Sequence, residues 1–125
     1  DSGVRTGRVD VYEWNGSLWV TRGDPIYGTG DGDSTGGSID ISSQGDILAV
    51  CSRKALNEYG EKTGRTDIYE WNDSSWVSRR SYYNDILGSV ILNISLSSAG
   101  DVLGFSGYSG NDGQLNAAGG VKRIV

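Results

Sequence analysis

Apolar and polar residues alternate in short runs from Val9 onward, each run closed by glycine, asparagine or serine, and none reaches helical length. The pattern predicts strands over residues 9–14, 18–21, 38–42 and 46–51, and four more over 66–71, 75–78, 90–97 and 101–105. In Val9-Asp10-Val11-Tyr12-Glu13-Trp14 the aliphatic pair points to one face and Tyr12 and Trp14 to the other, so both faces carry apolar groups. Sheets stacked face to face need this, with Ile39, Ile41, Ile94 and Leu96 as the matching layer. Asn15-Gly16 predicts a type I′ hairpin between the first two strands, and Asn72-Asp73 a weaker version of it. Gln44-Gly45 and Ala99-Gly100 supply the tight reversals between the third and fourth strands. The nearest candidate for a helix, residues 55–61, is cut short by Gly60 and Gly64.

The strands come as two copies. Gly7-Arg8-Val9-Asp10-Val11-Tyr12-Glu13-Trp14-Asn15 returns as Gly64-Arg65-Thr66-Asp67-Ile68-Tyr69-Glu70-Trp71-Asn72, and Ile39-Asp40-Ile41-Ser42-Ser43-Gln44-Gly45-Asp46-Ile47-Leu48 as Ile94-Ser95-Leu96-Ser97-Ser98-Ala99-Gly100-Asp101-Val102-Leu103. Internal repetition of this kind marks arrays in which each unit buries its apolar face against a neighbour. We therefore expect an all-β chain forming a single repeat domain over residues 1–125. Unit one runs over about 7–56, unit two over about 64–106, and a partial third over 107–125. Each unit is read as one four-stranded antiparallel, blade-like sheet, in a propeller-type or stacked-sheet array.

Composition narrows the function. With 20 glycines, 36% hydrophobic residues and a net charge of −5, the chain has no basic tract for a nucleic-acid surface beyond Arg79-Arg80, and no apolar run long enough to span a membrane. Histidine is absent, the single Cys51 sits in the apolar run Ile47-Leu48-Ala49-Val50-Cys51 as a buried thiol, and no phosphate-binding Gly-Lys-Ser/Thr loop occurs. The recurring acid pairs, Asp10 with Glu13 and Asp67 with Glu70, read as scaffolding because they repeat with the strands. We expect no enzymatic activity and no required cofactor. The chain begins at Asp1 without a methionine, so either a leader was removed or the chain is a segment of a longer array.

The motifs Gly7-Arg8-Val9-Asp10-Val11-Tyr12, Trp19, Gly37-Ser38-Ile39 and Gly45-Asp46-Ile47-Leu48-Ala49-Val50 follow one another. Their counterparts are Gly64-Arg65-Thr66-Asp67-Ile68-Tyr69, Trp76, Gly88-Ser89-Val90 and Gly100-Asp101-Val102-Leu103-Gly104-Phe105. This succession resembles the FG-GAP-like and related secreted β-propeller repeats, over essentially the whole chain. The resemblance implies a propeller-type architecture and candidate calcium ligands in an acidic loop. Here that loop holds only Asp31-Gly32-Asp33, with Asp24 as a neighbouring candidate, whereas calcium takes six to eight oxygens.

Three sequons, at Asn15, Asn72 and Asn93, are candidate glycosylation sites and point to an extracellular or cell-surface protein. Four tryptophans and seven tyrosines supply aromatic surface; pairing across the repeats assigns most to the core and leaves Tyr82 and Tyr83 as a candidate carbohydrate platform. The tail, with Val121, Ile124 and Val125, reads as a third copy of the first strand, able to continue a neighbour's sheet beside residues 9–14. The function expected is a non-catalytic structural or adhesive module. Copies of it would assemble head to tail into a fibre, ring or surface layer; a lectin-like carbohydrate-binding propeller is the alternative.

Overall fold

The computed structural model describes residues 7–28, 34–83, 89–109 and 116–123, and all regular elements among them are β-strands. A small hairpin layer comprises β1 (Arg8–Val9) paired with β4 (Ile26–Tyr27), and β2 (Tyr12–Trp14) paired with β3 (Trp19–Thr21). The middle sheet has the order β5 (Thr35–Ile41), β6 (Ile47–Ser52), β7 (Arg65–Trp71), β8 (Trp76–Tyr83). A three-stranded sheet follows, with β10 (Val102–Ser109) between β9 (Ser89–Leu96) and β11 (Asn116–Arg123). Every pairing between these strands is antiparallel, and Gly7 adds one isolated parallel bridge to Thr35.

The sheet boundaries do not follow the sequence repeat. The last two strands of unit one, β5 and β6, pair with the first two of unit two, β7 and β8, through Ala49↔Ile68 and Val50↔Asp67. The blade expected from each unit is thus replaced by a sheet shared between units. The propeller-type descriptor is also corrected: the strands divide into small open sheets of two to four strands, and none is closed into a barrel or strongly curled. β11 joins its own molecule's sheet, with Val121 opposite Gly104, as Ile68 of β7 stands opposite Ala49 of β6.

The apolar groups account for the layering. Alternation along β6 sends Leu48 and Val50 to one face and Ile47, Ala49 and Cys51 to the other. Leu48 and Val50 pack with Val9, Val11, Ile26, Tyr69 and Trp76, between the hairpin layer and the middle sheet. Ala49, Cys51 and Ile68 pack with Ile91, Ile94, Leu96 and Leu103 of the three-stranded sheet. The middle sheet is therefore apolar on both sides, and β6 reads as an unbroken hydrophobic run for that reason.

Two turns are built identically in both units. Asn15 Oδ1 accepts the amides of Ser17 and Leu18, and Asn72 Oδ1 those of Ser74 and Ser75. The side chain organises the reversal, so the two-residue type I′ turn expected at Asn15-Gly16 gives way to a longer loop in which Gly16, not Asn15, has positive φ. Between β5 and β6, Ser42 Oγ donates to Asp46 Oδ1 at 2.8 Å and accepts the Ile47 amide; Ser97 repeats this with Asp101 at 2.9 Å and with Val102. Gly45 and Gly100 take the positive φ that closes each of these turns.

If both faces of the middle sheet are core, Leu48→Ala and Ile68→Ala should each cost about 2–5 kcal/mol in denaturant unfolding. The exposed Val77 on β8 should tolerate alanine at under about 0.5 kcal/mol. A cost for Leu48→Ala as small as that of Val77→Ala would contradict the two-faced core.

Candidate functional site

The two tryptophan pairs are repeat equivalents in different surroundings. Trp14 and Trp19 face each other across β2 and β3 with ring centroids 5.5 Å apart and planes tilted 60°; Trp71 and Trp76 do so at 5.2 Å and 55°. Hairpin-layer residues cover the second pair. The Arg22 guanidinium lies 4.5 Å from the Trp71 ring centre and 5.9 Å from that of Trp76, and Trp76 Nε1 donates to the Arg22 carbonyl at 2.9 Å. Gly23 permits this approach, since a Cβ there would stand 2.8 Å from Trp71 Cζ3. The first pair lies open: Tyr12, Trp14 and Trp19 are 54%, 52% and 67% exposed, while Tyr69, Trp71 and Trp76 are only partly exposed. The aromatic core expected from the repeat thus exists in the second unit alone.

Each acid of the recurring pairs has an arginine. Arg8 bridges Asp10 at 2.9 Å, Arg22 bridges Glu13 at 2.8 Å, and at equivalent positions Arg65 bridges Asp67 at 2.9 Å and Arg79 bridges Glu70. Asp67 also accepts from the Ser81 hydroxyl. The ion pairs belong to the repeated scaffold, and Arg22 serves twice, holding Glu13 while it covers the Trp71/Trp76 pair. Sequence spacing gave no sign of that second role, because the contact joins residues of different layers.

A second matched pair of surfaces lies on the sheet edges. The edge amides of β9 are taken by side chains of β5: Ile94 N donates to Ser38 Oγ at 3.2 Å and Leu96 N to Asp40 Oδ2 at 2.7 Å. Ile94 and Leu96 then enter the cluster containing Ala49 and Cys51. Their equivalents Ile39 and Ile41 are 48% and 40% exposed, although their cross-strand partners Val50 and Leu48 are core residues. A shallow depression of about 250 Å³ on β9 and β10 is lined by Asn93, Ile94, Ser95, Gly104, Phe105 and Ser106. Gly104 and Ser106 are the repeat equivalents of Ala49 and Cys51.

The remaining sequence candidates are scattered. Asn15 and Asn72 sit exposed at hairpin tips, whereas Asn93 lies within β9 and accepts from Ser38 Oγ at 2.8 Å. Asp24 is exposed; Asp31 and Asp33 lie outside the described residues, as do Ile124 and Val125, and no metal-holding group of His, Cys, Asp and Glu occurs among the described residues. Tyr82 packs against the inner core with its hydroxyl buried and without a protein partner among the described residues, and Tyr83 is half-buried; exposed aromatic groups are instead Tyr12, Trp14, Trp19 and Tyr27, with Tyr59 apart from them in sequence. No helix among the described residues is long and apolar enough to cross a membrane.

Cys51 is fully buried and burial pushes its thiol up to about 11. Compared with protein-family models, curated protein sequences and solved structures, the chain has no match, which neither supports nor opposes the motif resemblance.

Two outcomes follow from these surroundings. Trp76→Phe should cost about 1–2 kcal/mol through the lost indole hydrogen bond and weaker guanidinium contact, and Trp19→Phe under about 0.5 kcal/mol. Equal costs in chemical denaturation would contradict the unequal cover. The raised thiol keeps Cys51 protonated in the folded chain while the unfolded chain ionises, so its contribution is full below about pH 9 and is lost as pH rises through about 11. Over that window the native protein should lose roughly 2 kcal/mol more stability than Cys51→Ala, and identical pH profiles would contradict the burial account.

Proposed function

We propose that the protein is a non-catalytic structural repeat module whose copies stack head to tail. The observation that carries this reading is the contrast between repeat-equivalent surfaces: Tyr69, Trp71 and Trp76 are covered by a preceding layer, while Tyr12, Trp14 and Trp19 lie open with the same ring geometry. Exposed aromatic groups that have a packed counterpart in the same chain are surfaces prepared for a neighbouring layer. Open sheets, none closed into a barrel, favour a linear stack, hence a fibre or surface layer.

Sequons at the hairpin tips Asn15 and Asn72 support an extracellular setting, where a glycan on an exposed loop meets no obstruction. The aromatic geometry speaks for packing over sugar binding. A flat sugar platform wants coplanar faces, and Trp14 and Trp19 tilt by 60°, as the covered pair does.

Sedimentation velocity over rising protein concentration tests the proposal. The native chain is expected to shift to larger species, and the surface variant Trp14→Ala with Trp19→Ala to shift less at equal concentration. A native chain that sediments as a monomer throughout, with particle imaging showing only single globules, would defeat it.

A further inference from the structure

Resting on the stacking proposed above, we infer that a second copy of this chain seats its Ile39 and Ile41 in the depression over Gly104 and Ser106, and that β11 occupies the place this neighbour's first strand would take. The molecule contains the template for the contact. Ile94 and Leu96 of β9 pack in one cluster with Ala49 and Cys51 of β6, while Ser38 and Asp40 accept the Ile94 and Leu96 amides. Each participant has an equivalent one repeat away: Ile39 and Ile41 for the two knobs, Gly104 and Ser106 for the floor, and Asn93, whose Oδ1 already accepts from Ser38 Oγ and has a second lone pair, with Ser95 for the amide acceptors.

The floor is open to receive them. On β10, Leu103 and Phe105 pack inward, so alternation turns Gly104 and Ser106 outward to the depression, as it turns Ala49 and Cys51 away from Leu48 and Val50. Among the described residues, a Cβ on Gly104 would meet only Ser95 O, at 4.0 Å, which is ordinary contact. On the other surface, Ile39 and Ile41 stand on β5, an edge strand of the middle sheet, where a neighbour can approach.

The same equivalence places an obstacle. The β1–β2 segment corresponds to β7, and β7 pairs with β6; a stacked neighbour's β1–β2 segment therefore belongs beside β10. There β11 is already paired, Ala118 opposite Gly107 and Val121 opposite Gly104. Its sequence Asn116-Ala117-Ala118-Gly119-Gly120-Val121-Lys122-Arg123 is poor in strand formers and lacks the Tyr and Trp that β2 and β7 carry. β11 is a weak placeholder, and stacking exchanges it for the neighbour's stronger strand.

Full-length variants compared by sedimentation velocity test the assignment, with circular dichroism and tryptophan emission reporting folding. Ala118→Pro with Gly119→Pro removes consecutive strand amides, one of which faces β10, and is expected to shift association to lower concentration. Ile39→Glu with Ile41→Glu, and separately Ser106→Glu at an exposed position, are expected to abolish association. Gly104→Glu serves as a second block on the same floor. An equimolar mixture of the Ile39/Ile41 and Ser106 variants is expected to recover a dimer and nothing larger, because each retains one complementary surface. Association of the native chain that is unmoved by the glutamate variants, or by opening β11, would overturn this assignment while leaving stacking intact. A native chain that stays monomeric throughout would defeat the stacking and this assignment together.

Discussion

The structure depends on burying β6 from both sides. Five consecutive apolar residues, Ile47 to Cys51, give the strand no polar face to turn to water, so an apolar layer is required above and below it. Val9, Val11 and Ile26 supply one, and Ile91, Ile94, Leu96 and Leu103 the other. The serine-aspartate turns fix the β5–β6 and β9–β10 reversals, and an arginine pairs with each recurring acid on the strands that carry the layers. On the stacking we propose, the unit-one surface that lacks such a cover is the one a neighbouring copy takes.

Polar contacts between the layers set their register. Ser38 and Asp40 reach the free edge of β9, and the backbone of Ser43 donates to Ser98 O at 2.8 Å, so equivalent turns of successive units lie against each other. Hydrogen bonds of this sort contribute about 1 kcal/mol each, modest beside the buried apolar groups. They are directional, however, and a slip of one residue would bring the wrong face inward. The apolar layers hold the sheets together and the edge contacts decide how they align.

Much of this was legible in the residues. The doubled motif around Tyr12 and Tyr69 marks strands, whereas of the two apolar faces of residues 9–14 only the Val9 and Val11 side is packed and Tyr12 and Trp14 lie open. What sequence could not show was which strands share a sheet, since β6 pairs with β7 across the unit boundary and nothing in the local pattern of either strand encodes that choice. Nor could it separate Trp14 and Trp19 from Trp71 and Trp76: matching motifs differ in burial because Arg22 and Gly23 of another layer cover the second pair and Trp76 packs against the Val9, Leu48 and Val50 cluster. Tyr82 was misjudged as a platform for a related reason, as the bulge between Ile68 and Tyr69 on the β7–β8 ladder shifts β8 out of simple alternation and turns its ring to the core.

If the open surface of one repeat is the closed interface of another, as we propose, residue-resolved amide exchange reads it directly. The Leu96 amide, held by Asp40, should be protected at every protein concentration. Among the described residues, its equivalent in unit one, the Ile41 amide, is held only by the carboxylate of its own neighbour, Asp40, at 2.9 Å on the edge strand β5. The account predicts that Ile41 exchanges fast in dilute solution and slows toward Leu96 as concentration rises. Fast exchange at Ile41 that stays the same at every concentration would contradict it.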